Sequence, residues 1–153
     1  MKKIKFKAYV TKQHLSGNMG INEPGIQEYD DFVEVEEIAF SGDEVDLIRD
    51  VEGNEYSFAN NDLKAVISYS GFEDRNGTDM FEGDVFAPVI YDTNRLSSSS
   101  LRWEVFYNEE KLQFYARERT QDILKPLSEF RNSGIQYKVI GNVIKNPSLA
   151  VAD

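Results

Sequence analysis

A chain of 153 residues without a single cysteine can bury a core with no disulfide or metal support, and it lacks thiolate nucleophiles and thiolate zinc clusters altogether. Its net charge of −10 is unevenly spread: residues 28–55 hold twelve acids against one base, Arg49, a local −11, while the remainder carries +1. Such a field repels phosphate backbones, and no window approaches the run of about 18 apolar residues that spans a bilayer, so a cytoplasmic protein with no membrane contact is expected.

Ile4, Phe6, Ala8 and Val10 alternate with Lys3, Lys5, Lys7 and Tyr9, the period of a strand with one buried and one wet face. Residues 11–30, with GNMG and NEPG inside them, show turn residues and little periodicity and read as a mobile connection. The only histidine, His14, falls there, which predicts an exposed loop imidazole and not a catalytic base. In FVEVEEIAF (32–40) the alternation changes parity, so that Ile38 and Phe40 take over the apolar side; a bulge near Glu36 or Glu37 would do this. EVDLIR (44–49) and EYSFA (55–59) flank D-V-E-G-N as a hairpin.

LKAVISYS predicts a strand ending at Gly71, and Asn76-Gly77 a type I′ reversal. Val85 to Tyr91 reads as a strand and TNRLSSSS as an exposed loop. LRWEVFY (101–107) is a strand with Leu101, Trp103, Val105 and Tyr107 on one face. Asn108 to Lys111 turns into LQFYAR. Residues 120–130 are ambiguous, because Pro126 opposes a regular helix through them. IQYKVIGNVI is a last strand, and Asn146-Pro147 suits the start of a very short helix. The pattern is about nine strands with little helix, hence mainly β. It divides into an N-terminal β region, 1–60, and a second part, 61–153, expected to form one compact structural unit.

The stretch DRNGTDMFEGDVFA (74–87) explains itself without a ligand. Asn76-Gly77 reverses the chain, Gly83 permits a backbone that a side chain would block, Asp84 can accept from local amides, and Phe81, Val85 and Phe86 feed a core. YSGFEDRNGTDMFEGDV (69–85) resembles the most characteristic motif of the YopX family of bacteriophage and prophage proteins. VIGNVIKNPSLA (139–150) resembles that family's closing signature, and IKFKAY its opening strand. The resemblance implies an SH3-type small barrel in the C-terminal half, preceded by a less standard β region, and a phage-encoded protein of unassigned role with no catalytic residues to carry over. The connection 11–30 and the serine loop look like insertions. The residues taken as the structural motif are Asn76, Gly77, Gly83, Asp84, Gly141, Asn142 and Pro147.

No EF-hand, P-loop or G-x-G-x-x-G spacing occurs, so no cofactor, metal or catalytic site is expected, and the protein is read as not an enzyme. The acidic block supplies the functional lead, with Glu34, Glu36, Glu37, Asp43, Glu44 and Asp46 as a candidate surface for an unknown protein partner, a basic host protein being the candidate. Solvation is the plainer use of such charge. Glu34 and Glu36 would also face Lys3, Lys5 and Lys7 across strands, in pairs worth about 0.2–1 kcal/mol each. The function expected is a noncatalytic protein acting by protein contacts. The alternative is a nucleic-acid-binding barrel of the KOW type, with Phe106, Phe114 and Tyr115 near Arg102, Arg117 and Arg119, core packing being the better account of Trp103 and Tyr107. Self-association is a further expectation, through the lysine-bearing opening strand as a sheet edge.

Overall fold

The computed structural model describes residues 4–15, 26–89 and 101–150. The protein is mainly β, and it divides into two compact units: Lys5–Val66, and Ile67–Asp153 with Met1–Ile4.

The first unit contains β1 (Phe6–Leu15), β2 (Ile26–Ser41), β3 (Glu44–Asp50), β4 (Glu55–Ser57) and the first residues of β5 (Leu63–Glu73), in the spatial order β4-β3-β2-β1-β5. β2 serves two partners. Its first half runs antiparallel to β1, from Ile26 opposite Leu15 to Glu34 opposite Lys7, and its second half runs antiparallel to β3. The register slips between Val35 and Glu37, where the change of parity predicts a bulge. A second slip, between Ala39 and Phe40, is not legible in the alternation; Ile38 packs on the core, whereas Phe40 is left 63% exposed. The core itself is Ala8, Val10, Val33, Ile48, Tyr56 and Leu63.

Two expectations for this unit are corrected. The segment read as a mobile connection is largely strand: β1 continues to Leu15 and β2 begins at Ile26, with Thr11 opposite Asp30 and His14 opposite Gln27. Backbone ladders need no apolar side chains, and Thr11, Gln13, Glu28 and Asp30 offer no alternation to read. Residues 16–25 lie outside the described residues. Moreover, β1 sits between β2 and β5, so the opening strand is not a sheet edge.

The second unit contains the end of β5, β6 (Asp79–Phe81), β7 (Asp84–Pro88), β8 (Trp103–Asn108), β9 (Gln113–Glu118), β10 (Ile123–Pro126), a short helix α1 (Leu127–Arg131), β11 (Tyr137–Asn142) and a 3-10 turn at Pro147–Ala150. β7 to β11 form a five-stranded antiparallel sheet in the order β10-β9-β8-β7-β11. Among the described residues no ladder joins β10 to β11, so this sheet is open. The two strands missed in the sequence, β6 and β10, are three and four residues long. Pro126 resolves the ambiguity of 120–130, since it ends an edge strand and immediately precedes α1, two places where its missing N–H costs nothing.

Here the core is aromatic. Phe86 and Trp103 are buried with Met80, Val105, Ala116 and Leu127, and Phe130 and Tyr137 pack against them. Tyr107 does not join them; it is 40% exposed and meets the Phe114 ring near the far end of β8. The expected strand Val85 to Tyr91 is described as far as Val89, and the serine loop lies outside the described residues.

Candidate functional site

The residues of 74–84 and 139–147 form one hydrogen-bonded assembly within the second unit. Asp74 closes its own turn by accepting from the Asn76 and Thr78 amides, each at 2.9 Å, while its second oxygen accepts from Val139 N at 3.0 Å. Arg75 N donates to Tyr137 O at 3.0 Å. Because β11 ends the strand order of its sheet, these two bonds occupy the groups an edge strand otherwise presents to other chains. The reversal is not type I′, which needs positive φ at both central residues. Gly77 alone has it, at +78°, with Gly77 N on Asp74 O at 3.1 Å, so the turn is type I followed by a left-handed glycine.

The Gly-Asp pair has an equally definite task. Asp84 Oδ2 accepts from Phe81 N at 2.8 Å and Oδ1 from Asn142 Nδ2 at 2.9 Å, both carboxylate and amide being buried. Asn142 Nδ2 also donates to Glu82 O, and Asn142 Oδ1 accepts from Ile144 N. Gly83 has φ of +84°, donates to Val105 O and accepts from Val143 N; a Cβ there would stand 3.0 Å from Asn142 Oδ1. Gly141 leaves room for the Leu149 side chain, and Pro147 opens the 3-10 turn. These seven residues bend the chain and fasten its last strand.

The acidic residues gather on the β2–β3 hairpin of the first unit. Glu34, Glu36, Glu37, Asp43, Glu44 and Asp46 are all exposed. Lys7 lies opposite Glu34 in register; Lys3 is outside the described residues. Arg49 is held between Glu37 at 2.9 Å and Glu55 at 2.5 Å, and its guanidinium pKa is raised, first by the hydrogen bond with Glu55 and then by the charges of Glu37 and Glu55. Among the described residues no group of three or more acids or histidines is arranged to hold a metal ion.

On the sheet of the second unit, Arg117 lies 4.4 Å over the Phe106 ring, and Tyr115 stands opposite Phe106. Arg119 is tied to Glu104 at 2.7 Å. Arg102 reaches instead toward Leu149 O, at 3.5 Å.

Two features escaped the sequence reading. Glu118 is buried; burial, the largest single influence, would raise its pKa, but hydrogen bonds from the Thr120 hydroxyl and the Gln121 and Thr120 amides together hold it below the usual value. The other is a cleft of about 250 Å³ between α1, the β5–β6 turn and the start of β11. Its lining includes Met80, Phe86, Phe130 and Tyr137 together with Arg75 and Arg131, and Arg75 Nη1 is buried there with no hydrogen-bond partner among the described residues. Only the juxtaposition of a turn with a helix far along the chain creates it, and no local spacing reports that.

The fold and the fastened turn define a mainly β protein of two antiparallel sheets. The family model described as YopX protein matches residues 25–150, and the chain belongs to the YopX family. The match contains both C-terminal motifs and begins after the opening strand. The chain is similar in fold to the crystal structure of protein EF1440 from Enterococcus faecalis, with a TM-score of 0.50 at 17% identity over 98% of this chain and 99% of that one. No curated protein matches the chain.

Proposed function

We propose that the protein is a noncatalytic phage- or prophage-encoded protein of the bacterial cytoplasm, which acts by docking a basic segment of a host protein on its acidic β2–β3 hairpin. The observation that carries this reading is Phe40, 63% exposed and flanked in sequence and register by exposed carboxylates, the one base within residues 28–55, Arg49, being already engaged. An exposed aromatic supplies contact area, and the uncompensated charge selects and steers a cationic partner. Compatible with a cytoplasmic place is that, among the described residues, no helix is long and apolar enough to cross a membrane.

We also read the second unit as an SH3-type small barrel. Supporting this is the return of β11, after a short helix, to pair with β7, the first strand of its sheet. The second reading, nucleic-acid binding on this sheet, is favoured by the stack of Arg117 on Phe106 beside Tyr115. Against it stand the acidic field and the engagement of Arg119 by Glu104. Self-association through the opening strand loses its basis, since β1 is interior to its sheet and Lys7 faces Glu34 of its own chain.

Affinity capture from host lysate decides between these readings. The wild-type chain is expected to retain a basic protein that is lost with Phe40→Ser combined with Asp43→Asn, Glu44→Gln and Asp46→Asn. Turnover of a metabolite by the pure protein, with no partner recovered, overturns the proposal. Salt-sensitive retention of single strands, weakened in Arg117→Ala, would favour the second reading.

A further inference from the structure

We infer that the cleft of the second unit binds a small organic carboxylate with an aromatic body, its carboxylate on Arg75 and its ring against Phe130 and Tyr137. Arg75 Nη1 is shielded from solvent yet meets no acceptor among the described residues. A buried donor of a charged group left unpaired is costly, and here the obvious internal partner is committed elsewhere. Asp74, the adjacent acid, spends one oxygen on Asn76 and Thr78 and the other on Val139. None of the described residues completes the site, and a bound acceptor would.

The lining specifies what that acceptor belongs to. A guanidinium fork matches the two oxygens of a planar carboxylate. Arg131, over the Phe72 ring at 4.5 Å, adds a second cation, so that the two arginines offset Glu73 and Asp74 of the lining although the chain as a whole is acidic. Its apolar side is aromatic: Phe86, Phe130 and Tyr137 meet one another edge to face with ring centroids 5.0–5.5 Å apart. Such an array leaves ring faces and edges to receive another ring. Size sets the upper limit, because about 250 Å³ falls below the roughly 300–1,000 Å³ of sites for drug-sized ligands. One ring with a short acidic arm fits that description, and a nucleotide does not.

Calorimetric titration of the full chain with phenylacetate, phenylacetamide and inorganic phosphate tests the assignment. Phenylacetate is expected to bind saturably and raise the melting temperature, with the neutral amide and phosphate each about tenfold weaker or worse. Arg75→Gln should lose about tenfold in affinity for phenylacetate, and Arg75→Lys less, because the charge remains without the fork. Arg131→Gln, at the second cation, is expected to weaken binding as well and serves if Arg75→Gln does not fold. The inference is overturned by absence of saturation at millimolar phenylacetate, by equal binding of the amide or of phosphate, or by undiminished affinity in both glutamine variants. A peptide ending in Gly-Phe that binds far more tightly than phenylacetate would also overturn it, assigning the cleft to a chain terminus.

Discussion

The two units reach stability by different chemistry. Lys5–Val66 has a small, chiefly aliphatic core under a surface that holds most of the acidic excess, and among its described carboxylates only Asp50 is buried, accepting from Glu52 N and Asn54 N. Ile67–Asp153 has an aromatic core, and there the buried pair Asp84 and Asn142, with the half-buried Glu82 and Asp74, ties turns to strands. The same residue type therefore means different things in the two places. Glu34, Glu36, Asp43, Glu44 and Asp46 face water and can meet a partner, whereas Asp84 and Asp74 in the second unit, like the buried Asp50 in the first, are already structural acceptors. Charge count alone would have ranked them the other way round.

The strongest test of that contrast pairs Asp84→Ala with Glu36→Ala. Removing the Asp84 carboxylate strands Phe81 N and Asn142 Nδ2 in a buried place, and about 3 kcal/mol of stability should go with it. Glu36→Ala, at an exposed position, should stay within about 0.5 kcal/mol of wild type. Urea denaturation of both variants measures the gap, and equal losses would abolish the distinction between the units.

Gly83→Val comes next. At φ of +84°, with Asn142 Oδ1 3.0 Å from the new Cβ, the variant should lose about 1–3 kcal/mol. Melting within a degree of wild type would make the position an ordinary one. A smaller effect is expected from Glu118, also on the second unit's side of the contrast. Its folded pKa is lowered, so its contribution is fully present above the ordinary carboxyl value of about 4.3 and is lost as pH falls through the folded value. Glu118→Gln should remove that part of the acid dependence, read from urea midpoints taken between neutral and acid pH. An unchanged acid limb would show that its hydrogen bonds do not distinguish the folded carboxylate.

How far the sequence disclosed these features depends on whether they are local. Alternation marked the buried positions Ala8, Val10, Trp103 and Val105, and the parity change at Val35–Glu37 marked a bulge, because each is a property of neighbouring residues. The roles of Gly83 and Asp84 were legible for the same reason. Partners such as Asn142 for Asp84, or Val139 for Asp74, lie 58 and 65 residues away and belong to topology. The strands at 11–15 and 26–30 were lost because a ladder built from polar residues has no hydrophobic period. The cleft was invisible for a combination of these causes: Arg75 looks like any turn arginine until α1 is placed beside it.

The smallest effect expected is at Arg49, the one base within residues 28–55. Its bonds to Glu37 and Glu55 lie on the surface, where ion pairs are weak and salt screens them. Replacing it with Gln removes two attractions and leaves the twelve acids of that stretch with no base among them, so any loss should be electrostatic in origin. The melting temperature of Arg49→Gln should therefore fall slightly at low ionic strength and approach that of wild type as salt is added. Asp84→Ala should show no such recovery, because its lost partners are buried hydrogen bonds and not screened charges. A deficit at Arg49 that persists undiminished at high salt would mean that the exposed hairpin, too, relies on a specific polar contact, as the buried Asp50 beside it does, and the contrast with Asp84 would have to be redrawn.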